Sequence, residues 1–103
     1  MLMFDFANTF AKVPGPRTEN LGPNSGEKFR VNYLEKWFKE NKQVEIDVSG
    51  TIMNFGPSFL SEAFGKMAKE YGREKFFYII HIKEEGKRNI KLKNLIIKHV
   101  DIA

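Results

Sequence analysis

The sequence contains no cysteine and only two histidines. The absence of cysteine excludes a disulfide framework, a thiolate metal site and a cysteine nucleophile. It also favours a reducing compartment, so we expect a cytoplasmic protein. No apolar run approaches the roughly 20 residues that a membrane-spanning helix needs, and residues 1–6 lack the basic start of a signal peptide. We therefore expect neither a membrane segment nor a signal peptide.

The sequence also lacks the patterns that carry most catalytic chemistry. His81 and His99 lie far apart in the chain, and neither a Ser-His-Asp order nor a pair of suitably spaced carboxylates is found. No cluster of His, Cys or Asp has the spacing of metal ligands. Walker A and dinucleotide-binding motifs are missing too. The sequence therefore predicts a protein that is not an enzyme and that binds no metal and no cofactor.

Positive charge is concentrated near the end of the chain. The formal net charge is +4, and from Lys83 onward six lysine or arginine residues stand against three acidic ones. A basic segment can bind nucleic acid, but here no aromatic residue lies between the charges to stack on bases. We therefore interpret the segment as the solvated face of a helix and do not expect nucleic acid as a partner.

Aromatic residues are abundant, and they define the fold prediction. Ten Phe, three Tyr and one Trp in 103 residues are enough for one core in a single domain over 1–103. Apolar periodicity alternates between strand and helix, which is typical of βαβ units. We predict an α/β fold with a small mixed sheet of about four strands, covered on one face by helices over 25–41 and 57–71.

Individual elements follow from local patterns. Asn24 and Glu27 have the spacing of a capping box at the start of the first long helix. The run FFYIIHI over 76–82 is typical of a strand buried on both faces. Two further features complete the prediction: a loop over 7–25 with a short strand near 16–19, and a basic C-terminal helix over 89–102. An edge strand over 90–92 remains an alternative to the start of that last helix.

The first candidate site lies where strand 44–48 leads into the second long helix. A hydroxyl at a helix N-terminus just beyond a strand is a position where an anion can be held or a phosphate attached. Ser58 has this position, and the surface around it is the predicted partner-binding region. The alternative is that Ser58 only caps the helix. The residues of this site are Asn54, Phe55, Gly56, Pro57, Ser58 and Glu62.

The second candidate site joins the proline-rich loop to the first long helix. Arg17, Ser25 and Arg30 could form an anion-binding clamp near the ends of the strands. The alternative is a loop tied down by a capped helix, with Arg30 paired to Glu27 or solvated.

Three segments of the chain are similar to a known family. They are PGPR at 14–17, GPNSGEKFR at 22–30 and SFLSEAFG at 58–65. Together they resemble the STAS-like domain family of unknown function over roughly Phe4 to Ile82. A more distant resemblance, through DVSG at 47–50 and the Ser58 helix start, is to STAS domains of anti-sigma factor antagonists. In those domains a switch serine precedes a glycine, where this chain has Phe59.

The resemblance implies a STAS-like fold and a regulatory role. Its partner would be a kinase-like ATP-binding protein or a transcription regulator, with Ser58 matching the phosphorylated switch serine. We therefore predict a non-enzymatic regulatory or adaptor domain that binds a protein through the start of the second helix. The alternative is a module that binds a small anionic ligand or nucleotide through Arg17 and Arg30.

Overall fold

Strands and helices alternate along the chain, of which the computed structural model describes residues 1–102. In chain order the elements are β1 (Leu2–Asp5), α1 (Phe6–Thr9), a 3-10 turn (Glu19–Leu21), α2 (26–39), β2 (Val44–Asp47), α3 (57–71), α4 (Arg73–Ile79), β3 (Ile80–Ile82) and α5 (Lys87–Ile102). Both α2 and α3 contain a π-helical segment in their middle.

The sheet consists of three parallel strands in the order β1-β2-β3. Because both crossovers run in the same direction and such connections are right-handed, the helices lie on one face. Side chains along each strand point alternately to the helix-covered face and to the open face, and their burial alternates in the same way. Phe4, Ile46 and Ile82 pair across the sheet and are buried beneath the helices, whereas Met3 on the opposite face is 67% exposed.

The α/β class is confirmed, but the predicted sheet is wrong in two respects. Within residues 1–102 the sheet has three strands rather than about four, and it is parallel rather than mixed. The segment 16–19 forms no strand. Its carbonyl groups instead bind the start of α2, where Gly26 N donates to Pro16 O at 2.9 Å and Glu27 N donates to Arg17 O at 3.0 Å.

The run 76–82 is also corrected, because only its last three residues form a strand. Gly72 ends α3 with a φ of +88°, and α4 begins at the next residue. On α4 the apolar residues Phe76 and Ile79 are three apart and both fully buried. A continuous apolar run fits a buried helix as well as a buried strand, so periodicity could not distinguish them here.

The cap of α2 lies one residue later than predicted. Asn24 has a φ of +58°, which is left-handed and unlike the extended backbone of an N-cap. Ser25 has that extended backbone, and its hydroxyl accepts a hydrogen bond from Lys28 N at 3.0 Å. The carboxylate of Glu27 accepts from Glu19 N instead of closing a capping box.

The last helix is continuous from Lys87 to Ile102, so the alternative edge strand over 90–92 is not formed. Four buried residues lie along its inner face: Asn89, Leu92, Ile96 and Val100. Within the described residues, no helix is both long enough and apolar enough to span a membrane.

Candidate functional site

The start of α2 lies directly against the first turns of α3. A Cβ atom at Gly26 would be 2.7 Å from Phe59 O and 3.3 Å from Glu62 Cβ. Only glycine allows this approach, because real Cβ atoms do not come so close to backbone oxygen. The loop carbonyls that bind the first N–H groups of α2 hold Arg17 at the same junction. Residues far apart in sequence therefore meet at Glu62.

Glu62 is the centre of a charge cluster. Its side chain is only 5% exposed, although glutamate is almost never buried unless it is paired. Arg30 Nη2 lies 3.1 Å and Lys66 Nζ 2.9 Å from its Oε2 atom. Arg17 Nη1 lies 3.7 Å from its Oε1 atom. We call Arg17, Arg30, Glu62 and Lys66 the Glu62 cluster.

Arg30 links the π-helical segments of α2 and α3. It opens the segment Arg30–Leu34 of α2 and reaches into the segment Ser61–Gly65 of α3. Its Nε atom donates to the backbone oxygen of Glu62 at 3.1 Å, and its Nη1 atom pairs with Glu35. Glu62 lies within the π-helical segment of α3, in which the backbone bonds are i→i+5, so its carbonyl receives a side-chain donor from the other helix. Arg30 supplies this donor.

The paired cations set the protonation of Glu62. Burial by itself raises the pKa of this carboxyl, but the hydrogen bonds from Lys66 and Arg30, with their charges, outweigh burial. The pKa of Glu62 is therefore held below its ordinary value. The side chain is an anion wherever the fold is intact near neutral pH.

The structure brings Arg17 and Arg30 together, as the anion-clamp hypothesis requires, but the anion between them is Glu62 of the same chain. Ser25 is fully buried and its hydroxyl caps α2. Arg30 pairs with Glu35 and Glu62 rather than with Glu27. Whether an external anion also binds to these residues stays a prediction.

The residues predicted around Ser58 divide into an exposed group and a buried group. Asn54, Gly56, Pro57 and Ser58 are exposed. Phe55 is buried against the rings of Phe6 and Phe59, and Glu62 belongs to the charge cluster.

Ser58 does not cap α3. The N-cap is Gly56, with no side-chain hydrogen bond, and Pro57 starts the helix. Proline suits this first position because its missing N–H would have no helical partner. The hydroxyl of Ser58 is therefore exposed and is not required for the helix start.

Asn89 is a buried polar residue that sequence reasoning missed. Its Oδ1 atom accepts from Val48 N at 2.7 Å, and its Nδ2 atom donates to Asp47 Oδ1 and Glu85 O, both at 2.9 Å. Burial raises the pKa of Asp47, but hydrogen bonds from Asn89 and Ser49 and the charge of Lys83 outweigh it and lower that pKa. The sequence did contain a signal for this role, because Asn89 is an amide residue at a position on the apolar stripe of α5.

Replacing Asn89 by alanine is expected to lower the free energy of unfolding by about 1–3 kcal/mol, because Val48 N would be left buried without a partner. Urea denaturation measures this loss. Asn94→Ala is the matched control, since Asn94 is exposed on the same helix; it should change stability by less than about 0.5 kcal/mol. Equal effects of the two variants would contradict the structural role of Asn89.

The histidines lie at separate places. His81 Nε2 is 3.0 Å from Tyr78 O and 3.2 Å from Gln43 Oε1. His99 Nδ1 is 2.9 Å from the carbonyl of Leu95, an acceptor, so this nitrogen carries the proton. In residues 1–102 no group of three or more acidic, His or Cys side chains is arranged to hold a metal ion.

These features define a small α/β domain with a parallel sheet and helices on one face, joined by a buried charge cluster. A family model described as a STAS-like domain of unknown function matches residues 25–95. The chain belongs to this family, and the resemblance to it that was noted in the sequence is confirmed, over 25–95 rather than roughly Phe4 to Ile82. The matched range includes Arg30, Ser58, Glu62 and Asn89 but not Arg17. Searches of curated proteins and of solved structures gave no match.

Proposed function

We propose that this domain is a non-enzymatic regulatory or adaptor module that binds a partner protein through the surface at the start of α3. The observation that carries the proposal is the exposure of two large apolar residues in the loop that precedes Ser58. Ile52 is 65% and Met53 55% exposed, and both belong to the loop that leads from β2 to α3. We call Ile52, Met53, Asn54 and Ser58 the α3 entry surface.

The loop that carries Ile52, Met53 and Asn54 is fixed by hydrogen bonds and by buried side chains. Thr51 is buried, and its backbone and side chain both donate to Val48 O, at 3.1 and 2.8 Å. Ile52 N donates to Lys12 O at 2.9 Å, and Phe55 is packed into the aromatic core. A fixed loop loses little conformational entropy on binding. Exposed apolar side chains on it therefore favour recognition of a protein.

The chemistry of the partner surface follows from the neighbouring helix. Met53 and Asn54 line a shallow cavity of about 10 Å³ together with Arg88 and Lys91 of α5. The cavity is too small for an organic ligand, but basic residues at the rim of an apolar patch favour an acidic partner. We propose a partner with an apolar contact bordered by carboxylates; a kinase-like ATP-binding protein or a transcription regulator is the class implied by the resemblance.

Phosphorylation of Ser58 would regulate this contact. The hydroxyl is exposed and has no capping role, so a kinase could modify it without first opening the helix. A phosphate adds about 1.5 to 2 negative charges, which would oppose an acidic partner directly. The same charge is favourable at a helix N-terminus, so the fold would tolerate it.

Ser58→Glu should therefore weaken partner binding, while the melting temperature stays within a few degrees of that of the wild type. Ser58→Ala should bind normally. The test captures partners from the native host on immobilised wild-type domain, identifies them by mass spectrometry and measures their affinity for each variant by calorimetry. Wild-type affinity of the Ser58→Glu variant would contradict a phosphate switch.

The location of the surface is tested by Met53→Asp, with Val31→Asp as a matched control. Val31 is 52% exposed, close to the value for Met53, but it lies on α2. We expect Met53→Asp to abolish capture of the partner and Val31→Asp to leave it unchanged. Loss of capture in both variants, or in neither, would contradict the α3 entry surface.

The alternative function, a small-anion module built on Arg17 and Arg30, has less support at Arg30. Arg30 makes three contacts within the chain, to Glu35 and to two atoms of Glu62. A ligand at Arg30 would have to displace them. We therefore do not place an anion site at Arg30.

A further inference from the structure

A groove of about 300 Å³ lies between the middle of α3 and the end of α5, beside the Glu62 cluster. The function proposed above does not use it. Its charged and polar residues come from three separate segments of the chain, and we call it the basic groove. It is lined by Arg17, Ser61, Gly65, Lys66, Lys69, His99 and Ile102.

The middle of the groove is a helix residue without a side chain. Ser61, Gly65 and Lys69 are spaced four apart on α3, so they form one row along the helix. A Cβ atom at Gly65 would lie 3.7 Å from Leu60 O and 4.0 Å from Ser61 Cβ, so packing does not require glycine here. A helix is less stable with glycine than with alanine at an interior position. Gly65 nevertheless leaves space between Ser61 and Lys69.

Positive charge exceeds negative charge around this space. Arg17, Lys66 and Lys69 line the groove, and its neighbouring carboxylate, Glu62, is also bound to Arg30. The 3.7 Å ion pair between Arg17 and Glu62 is longer than a hydrogen bond, so this guanidinium can still donate to a ligand. Lys69 is exposed and forms no ion pair with residues 1–102.

His99 adds a donor or acceptor on the opposite wall. Its Nδ1–H donates to Leu95 O, one turn earlier on α5. That bond fixes the tautomer and leaves Nε2 for another partner. With the hydroxyl of Ser61, the groove thus combines cations with two further hydrogen-bonding groups.

We propose that the basic groove binds a small phosphate monoester. Arg17 and Lys69 would bind the phosphate, for which arginine offers paired donors and lysine a point charge. Lys66, which is bound to Glu62 at 2.9 Å, would add positive charge beside them. Ser61 and His99 would contact the attached organic group. The volume is at the lower limit of small-molecule sites, which fits a sugar phosphate better than a dinucleotide. This proposal does not depend on the α3 entry surface.

Ribose 5-phosphate is the probe, and ribose is its uncharged control. Titration of the full chain by calorimetry should show binding of the phosphate ester and none of ribose. In a ¹⁵N-correlated NMR spectrum, the amides of Gly65 and Lys69 should shift with ribose 5-phosphate. Binding of both compounds, or of neither at 10 mM (a concentration on the order of ten times the usual upper range of metabolite affinities), would overturn the proposal.

Two variants test the location. Lys69→Ala should weaken binding about tenfold, as expected for the loss of one charge-assisted contact. Lys39→Ala, an exposed lysine on α2, should leave the affinity unchanged. Equal weakening by both would show a general charge effect and overturn the site.

Gly65→Leu should fill the groove and abolish binding, with a melting temperature equal to or above that of the wild type because a helix glycine is replaced. Wild-type affinity in this variant would overturn the proposal. Binding of a single-stranded oligonucleotide without any binding of ribose 5-phosphate would also overturn the proposal, since that pattern indicates a surface that binds polyanions.

Discussion

Phe29→Ala should lower the free energy of unfolding by about 3–5 kcal/mol. Phe29 is fully buried and its ring contacts aromatic rings from β1, α1, α2 and α3. The ring centroids of Phe6, Phe64 and Phe59 lie 5.1, 5.8 and 6.1 Å away. Truncation would leave a cavity that several elements would have to close together, which places the cost at the upper end of that range. Urea denaturation followed by circular dichroism measures it.

Val31→Ala is the control on the same helix, because Val31 is 52% exposed. It should change stability by less than about 0.5 kcal/mol. Domains are typically stable by about 5–15 kcal/mol, so the loss in Phe29→Ala can approach the whole free energy of unfolding. Phe29→Leu is a milder variant, for which we expect a smaller loss of stability. A loss below about 1 kcal/mol in Phe29→Ala would contradict its central position in the core.

The parts of the fold that periodicity predicted well are those with one polar and one apolar face. The apolar stripe of α2 contains Phe29, Leu34 and Phe38, which are all buried. The run 76–82 has no polar face, so its change from helix to strand at Ile80 left no pattern. The loop before α2 was also misread, because its backbone groups bind the helix start instead of a strand.

The candidate sites were predicted as separate groups, and the structure joins them. Arg17 and Arg30 were assigned to one site and Glu62 to the other, yet all three meet in the Glu62 cluster. The sequence shows that these residues are charged but not that Gly26 lets α2 approach α3 closely enough for contact. Asn89 was missed for a similar reason, since its partners at 47, 48 and 85 are set by the packing of α5.

The Glu62 cluster, which we expect to stabilise the fold, lies on the same helix as Ser58, the residue proposed to regulate partner binding. Ser58 is one helical turn before Glu62 on α3, and Glu62 is the residue through which α3 is tied to α2. Ser58 of the α3 entry surface thus lies on a helix whose position depends on a buried ion pair. Loss of that pair is expected to affect the whole domain rather than the surface alone.

Glu62→Ala should therefore lower the free energy of unfolding by about 3 kcal/mol at pH 7, because the mutation removes a buried, charge-assisted hydrogen bond between α2 and α3. Arg30, whose side chain is only 16% exposed, would keep Glu35 as its one remaining carboxylate partner. Glu70→Ala is the control, since Glu70 is exposed on the same helix, and it should have an effect below about 0.5 kcal/mol. A similar loss in both variants would contradict a specific role of the cluster.

The pH dependence of stability distinguishes the contribution of the Glu62 charge from that of its side-chain packing. Because the folded-state pKa of Glu62 lies below its ordinary value of 4.5, its ionisation contributes stability that is fully present above pH 4.5 and is lost as the pH falls through the folded-state pKa. Glu62→Gln keeps the size of the side chain and removes this titration. The stability difference between wild type and Glu62→Gln should thus be largest near pH 7 and should shrink on acidification below pH 4.5, as measured by urea denaturation at each pH. A difference that stays constant from pH 7 to pH 3 would mean that packing, not the paired carboxylate, stabilises the junction of α2 and α3.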